Sequence, residues 1–290
     1  MRTSFKASVA MSAAAALLLV GCSPSAQEDE GGNGGGGEEP EPGESITVGI
    51  KYDQPGLGFR EGNEDPTGFD VDVALAVLGE LGYSEEDIEW AEAPTPQRED
   101  LLESGQVDMI FATYSITDER AERVDFAGPY FVAGQDLLVR ADEDRIEGPE
   151  DLPGLDLCSV TGSTPAENVQ EEYGDEINLV EQSGYAECLT YLESGQVDAV
   201  TTDDIILAGL AAADEFAGEF RVVGNPFSEE RYGIGLPDDS GAFCEDINEA
   251  LQGLFEDGTI DELLEANTEG VEYTASEELN TDIELEPCNT

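Results

Sequence analysis

From Ser45 onward the chain changes period repeatedly. Short apolar runs, Ile46-Thr47-Val48-Gly49-Ile50 and Met109-Ile110-Phe111-Ala112, predict buried strands. Between them Val73, Val77, Leu78 and Leu81 recur at helical spacing and predict a helix over 69–81, which Asp70 can cap at its start and Gly82 at its end. Strand and helix alternate in this way in α/β folds. Asp70 and Asp72 read as structural, with no chemistry assigned to them.

The pattern also repeats. Leu102-Glu103-Ser104-Gly105-Gln106-Val107-Asp108 recurs ninety residues later as Leu192-Glu193-Ser194-Gly195-Gln196-Val197-Asp198. In each copy a helix would end at a glycine free to turn left-handed, and Val-Asp would lead into a strand. A common helix-to-strand turn used twice by chance is the plainer reading. Seven identical residues, each time followed by an apolar strand and a Thr or Ser run, favour two similar lobes. The second lobe is expected over 141–224, and the first over 45–140 together with 225–290.

The first residues differ in kind. Arg2 and Lys6 precede an apolar run from Val9 to Val20, and Leu19-Val20-Gly21-Cys22 follows. This reads as an export leader, residues 1–21, ending in a lipobox with Cys22 as the lipidated residue. The run is too short to span a bilayer. Residues 22–44, rich in Gly, Glu and Pro, lack the apolar content for a core and are expected to form a tether. If flexible, such a tether reaches roughly 25 Å.

Charge then narrows the function. The chain carries 68 Asp and Glu against 11 Lys and Arg, a formal net charge of −57; losing Arg2 and Lys6 with the leader makes it −59. Such a surface repels phosphate backbones, so nucleic acid is excluded as a partner. Scarce lysine beside abundant acid resembles proteins working in brine, though an ordinary acidic secreted protein fits too. Lys51, just after the first strand, is the single lysine beyond the leader, and Arg98 and Arg120 are placed beside it as candidates for holding an anion.

Beyond Cys22 the cysteines are Cys158, Cys188, Cys244 and Cys288. An even number outside the cell points to two disulfides, and order alone does not choose among three connectivities. If the second lobe is real, Cys158 and Cys188 would pair inside it, leaving Cys244 and Cys288 to pin the acidic tail after Asn267 to the last long helix. Absent histidine and a close cysteine pair argue against zinc.

Local spacing singles out three helix starts. Thr117 can cap a helix in which Arg120 is the third residue, where the positive helix end disfavours a cation. A residue placed against local preference points to function, although pairing with Glu119 or Glu122 would explain it too. In Gly162-Ser163-Thr164-Pro165-Ala166-Glu167, Thr164 is the expected cap, and free amides at such an end can hold a carboxylate. Asp203, after Val200-Thr201-Thr202, opens another helix and serves equally as a plain cap.

These stretches carry a family resemblance. Gly68-Phe69-Asp70-Val71-Asp72-Val73, the run from Gly105-Gln106-Val107-Asp108 to Ser115-Ile116-Thr117-Asp118-Glu119-Arg120, and Val124-Asp125-Phe126-Ala127-Gly128-Pro129-Tyr130 resemble family 3 of the solute-binding proteins, the polar amino-acid receptors of ABC importers. Lys51-Tyr52-Asp53-Gln54-Pro55-Gly56 and Thr201-Thr202-Asp203-Asp204 resemble its glutamate-binding branch in actinobacteria. The resemblance implies an α/β, two-lobed type II periplasmic-binding-protein-like fold with a two-strand hinge and the ligand in the cleft.

It also implies roles. Arg120 and the Thr164 helix end would hold the α-carboxylate, while Asp203, the Ser115 hydroxyl and the Thr113 carbonyl would take the α-ammonium. Lys51 and Arg98 would meet a side-chain carboxylate, with Tyr185 nearby. Relatives often place an aromatic ring over the ligand after the first strand, where this chain has Pro55-Gly56-Leu57-Gly58.

Charge counting favours L-glutamate. Glutamine would leave Lys51 and Arg98 desolvated without a counter-charge, at about 3–5 kcal/mol against the roughly 8 kcal/mol of a micromolar site. Aspartate could use the same cations with a shorter reach. The expectation is a monomeric, lipid-anchored receptor on the outer face of the cytoplasmic membrane, without cofactor or catalysis, serving a permease and its ATPase. The alternatives are a cyclic-acid dehydratase on the same fold and an extracellular sensor.

Overall fold

The computed structural model describes residues 40–288. The leader, Cys22 and most of the expected tether lie outside them. Where the tether was expected to end, at Glu44, the chain is already attached: the Tyr83 hydroxyl donates to the Pro40 carbonyl, and Glu44 N–H bonds Glu41 O at 2.8 Å.

The chain opens with β1 (Ile46–Ile50), a small ribbon of β2 (Asp53–Gln54) and β3 (Gly58–Phe59), helix α1 (Phe69–Glu80), β4 (Ile88–Glu92), α2 (Arg98–Glu103) and β5 (Met109–Phe111). The long strands β6 (Asp125–Ala133) and β7 (Gln135–Arg140) follow, broken only at Gly134. Next come β8 (Asp156–Val160), α3 (Thr164–Tyr173), β9 (Asn178–Gln182), α4 (Tyr185–Ser194), β10 (Ala199–Asp203), α5 (Asp204–Ala212), β11 (Phe220–Val222) and β12 (Glu230–Leu236). Helices α6 (Gly241–Glu256), α7 (Thr259–Asn267) and α8 (Glu277–Asn280) close the chain.

Two five-stranded sheets share one topology. The first runs β4-β1-β5-β12-β6 and the second β9-β8-β10-β7-β11. In each, three strands are parallel and the fourth joins antiparallel. The repeat marks the same joint in both. Asp108 N–H bonds Thr47 O while its carboxylate accepts Thr47 N–H; Asp198 does the same with Asp156. Gly105 and Gly195, with φ of 65° and 70°, supply the left-handed turn before it.

The lobe boundary differs from expectation. Gln135–Arg140, assigned by sequence to the first lobe, pairs with β10 and β11 in the second sheet. The run from Asp125 to Arg140 is buried almost throughout, so its polar pattern carries no boundary. The return also comes later than Asn225, because Val223 and Phe227 still donate to carbonyls of β7.

Helix α1 differs in one respect. Gly82, with φ of 93°, ends it as expected, but the N-cap is Gly68, and Asp70 lies inside the helix with its side chain turned into the core. The disulfides are Cys158–Cys188, joining β8 to α4, and Cys244–Cys288, fastening the tail to α6. Along the way the tail is tied to the crossing strands. Asn280 bonds both the N–H and the carbonyl of Val132, and Glu286 pairs with Arg231 at 2.5 Å.

Candidate ligand-binding site

The crossing strands bring the C-terminal edges of the two sheets face to face around a narrow cleft. Gln54, Thr95, Arg98, Thr113 and Arg120 line it from the first sheet's side; Ser163, Thr164, Pro165, Tyr185, Thr202, Asp203 and Ile206 line it from the second. Ligands of α/β sheets bind at such strand ends. The approach of the lobes depends on Gly209 of α5, where a Cβ would stand 2.3 Å from the Pro55 carbonyl oxygen.

Two guanidinium groups form the positive wall. Arg120 donates from Nη1 to the Ser115 carbonyl at 2.7 Å and from Nη2 across the cleft to Gly162 O at 3.1 Å. Its backbone N–H bonds Thr117 Oγ1 at 3.2 Å, but the expected helix is absent: only a 3-10 turn forms over Arg120–Glu122, and its N-cap is Glu119 rather than Thr117. Arg98, first in α2, is 3 % exposed, and its Nε lacks a hydrogen-bond partner. Burial and the neighbouring Arg120 lower its pKa. Both arginines lie over the Tyr114 ring, at 5.0 and 5.1 Å from its centroid, and the Tyr114 hydroxyl donates to Glu99 at 2.6 Å. An aromatic face attracts cations, so Tyr114 helps hold two like charges side by side.

Lys51 takes a different place from the one expected. It is buried, but it is not among the residues lining the space; its Nζ stands 2.9 Å from Asp53 Oδ1. The ribbon β2 provides that carboxylate only two residues on, which explains the pairing. Burial lowers the lysine pKa, Asp53 opposes the shift, and Arg98 adds to it.

Opposite stands Asp203. Its Oδ2 accepts from the Tyr232 hydroxyl at 2.5 Å, while Oδ1 is buried without a partner. Although it occupies the cap position of α5, its side chain makes no capping bond; Asp204 takes the Ile205 N–H instead. A buried acceptor left unpaired is costly, and here it faces a space where a cationic donor fits. Burial raises the Asp203 pKa well above the usual carboxylate range, helped by the nearby Glu230.

Helix α3 begins one residue earlier than expected. Ser163, rather than Thr164, is the N-cap, its Oγ accepting Ala166 N–H at 3.3 Å. Thr164 is therefore the first helical residue, and its hydroxyl is free to reach Glu230 at 2.5 Å and Ser115 at 3.2 Å. The first amides of a helix have no intrahelical partner and suit an anion. Tyr185, first in α4, shares a 2.5 Å bond with Thr202. Ser115 lies just behind the lining, its hydroxyl donating to Glu230 at 2.7 Å.

Thr113 has φ of 46°, rare for a β-branched residue. Two bonds hold it: its N–H reaches Asp70 Oδ2 at 2.9 Å, and Gln54 meets its hydroxyl at 3.1 Å. Gln54 occupies the region where relatives were expected to place an aromatic ring; Phe59 points outward and Leu57 is in the core. Sequence reasoning missed Gln54, Tyr114, Glu230 and the role of Asp70. For Glu230 a signal existed: it shares a strand face with Tyr232, so alternation predicts its burial.

The model for bacterial extracellular solute-binding proteins, family 3, matches residues 46–268. The glutamate-binding protein GluB of Corynebacterium glutamicum is 48 % identical over 77 % of this chain and 78 % of its own. The glutamine-binding protein GlnH of Bacillus subtilis is 35 % identical over 76 % and 80 %. Among solved structures, an ancestral arginine-binding protein bound to arginine superposes with a TM-score of 0.70 at 33 % identity, covering 77 % of this chain and 97 % of that one. Two lobes of one topology closing on a polar cleft, and a match spanning both, lead to one conclusion: this chain belongs to the bacterial extracellular solute-binding proteins, family 3.

Proposed function

We propose that this protein captures L-glutamate outside the cell and hands it to the membrane permease of an ABC importer, anchored meanwhile through Cys22. The observation that carries this is the pairing, around one narrow cleft, of two buried arginines with an aspartate oxygen that lacks a partner. A ligand with two carboxylates and one ammonium answers all three. In this reading Arg120 and the first amides of α3 hold the α-carboxylate. Asp203, the Thr113 carbonyl and Ser115 take the ammonium, and Arg98 meets the distal carboxylate beside Tyr185. Lys51 acts from behind Arg98, through its field rather than by contact. The glutamate-binding relatives support the ligand class.

Calorimetry of the mature protein with glutamate, aspartate, glutamine and arginine, at low and high salt, tests the proposal. Glutamate is expected to bind tightest. Arginine or glutamine in that place would refute the assignment of Arg98, because a cationic or neutral side chain leaves that guanidinium desolvated without a counter-charge.

A further inference from the structure

The family match ends at residue 268, and the chain continues beyond it as a tail laid along the first lobe. Strand β6 is outermost in the first sheet, so its outer edge has backbone groups without a strand partner. The tail supplies partners. Asn280 bonds the N–H and the carbonyl of Val132, both at 2.9 Å, and the Glu286 N–H donates to the Gly128 carbonyl at 2.7 Å. The Glu286 carboxylate pairs with Arg231 on β12, and Cys244–Cys288 fixes the tail to α6. Val132 and Arg231 face each other on the two strands that cross between the lobes, so the tail grips both on the first-lobe side.

Covering a sheet edge does not account for Tyr273. Its half-buried ring packs against the main core, and its hydroxyl lies 3.4 Å from Asp204 Oδ1 at the start of α5. That oxygen also accepts the N–H of Gly134, the residue between β6 and β7, at 3.3 Å, and the N–H of Ile205 at 2.7 Å. The Asp204 N–H in turn donates to the Gly134 carbonyl at 2.8 Å. Hinge, second-lobe helix and tail therefore meet at one carboxylate. Its neighbour in the chain is Asp203, whose unpartnered oxygen lies at the cleft. With Gly209 against the Pro55 carbonyl, α5 is approached from the first lobe at two points.

We propose that Tyr273 is a positioning residue for ligand retention: the tail straps it to the hinge, and from there it holds the Asp204 end of α5, with Asp203, against the first lobe while the cleft is closed. The inference rests on the reading of this cleft as an amino-acid site. Tyr273 does not line the cleft, so it acts through Asp204 and not by contact with the ligand. Opening carries α5 away with its lobe and breaks the contact. An interaction made in one of two states favours that state by its own free energy, so this one slows release without changing which ligand is preferred.

The test follows release of labelled L-glutamate from the mature protein into excess unlabelled ligand, beside calorimetric affinities for glutamate and glutamine. Tyr273→Phe should speed release about threefold, the low end for one hydrogen bond because this one is long. Asn280→Ala unties the strap from Val132 and should speed release by a similar factor. Both changes break one linkage, so the double variant should be no faster than the faster single variant. The glutamate-to-glutamine affinity ratio should stay the same in all three. Unchanged release in Tyr273→Phe overturns the inference, even with a lowered Tm, which would make the residue one of packing alone. Effects that multiply in the double variant, or a shifted ligand ratio, overturn it as well. If Asn280→Ala does not fold, Tyr273→Phe decides by itself. Wild-type protein that binds no α-amino acid would instead sink the function on which the inference rests.

Discussion

At the scale of single residues the cations divide into two kinds. Arg98 lines the space with a guanidinium nitrogen that has no partner, whereas Lys51 spends its charge on Asp53, whose side chain is 35 % exposed. Removing one member of a buried, desolvated charge pair costs about 3–5 kcal/mol, against about 0–1 kcal/mol for a partly exposed one. Arg98→Ala should therefore weaken glutamate binding by roughly a hundredfold or more and glutamine far less, while Lys51→Ala costs about tenfold at most; titration calorimetry of both variants with both ligands checks the split. Equal losses for the two variants would return Lys51 to direct contact. Rarity made the cations legible in the sequence: with 11 Lys and Arg among 290 residues, each one stands out. The acids were illegible for the same reason. Glu230 is one of 68 acids; alternation with Tyr232 marks it as buried, but only its partners in the folded chain mark it as part of the cleft.

Among the elements, the repeated heptapeptide was the most readable feature, because its function is local. Helix end, left-handed glycine and clamping aspartate are neighbours in sequence, and both copies form the same joint with the middle one of the three parallel strands in their sheet. Gly105 and Gly195 have open space where a Cβ would lie, so alanine there meets no clash and costs only the left-handed backbone penalty. Each Gly→Ala change should destabilise by about 1–2 kcal/mol in urea denaturation, with similar values in the two lobes. A much larger loss in one copy would mean that the joints are not equivalent. Features resting on distant partners were harder to read. Asp70 looked like a cap because it stands at a helix start, but the Thr113 amide and the Tyr130 hydroxyl, 43 and 60 residues away, draw its carboxylate inward. The α3 start slipped by one for a related reason: Ser163 and Thr164 are both good caps, and Glu230 claims the second hydroxyl. The lobe boundary failed because a strand buried on both sides of a crossing has no polar break.

For the whole molecule, buried acids and net charge act in the same direction. Burial raises Asp70 from 3.8 to about 6 despite its two donors, and raises Asp204 to about 6 as well. An acid whose folded pKa exceeds its unfolded value binds a proton more readily when folded, so stability falls as pH rises from about 4 to 6 and the cost persists above that. For fully buried Asp70 a shift of about two units corresponds to roughly 3 kcal/mol. Glu143 has the opposite sign: its bonds to Arg145 pull it to about 2, and that contribution disappears only as pH falls below the ordinary carboxylate range. Between these limits acidification also removes part of a net charge of −57, whose self-repulsion opposes the compact state. Thermal unfolding should therefore show a Tm several degrees higher near pH 5 than near pH 7.5, at about 2–4 °C per kcal/mol. Salt separates the two causes. Raising it toward 1 M shortens the screening length to about 3 Å and should lift the Tm at pH 7.5 more than at pH 5, because surface repulsion is screened while the desolvated Asp70 is not. A pH dependence that vanished completely in high salt would assign the whole effect to the surface and none to the buried carboxylates that hold the site.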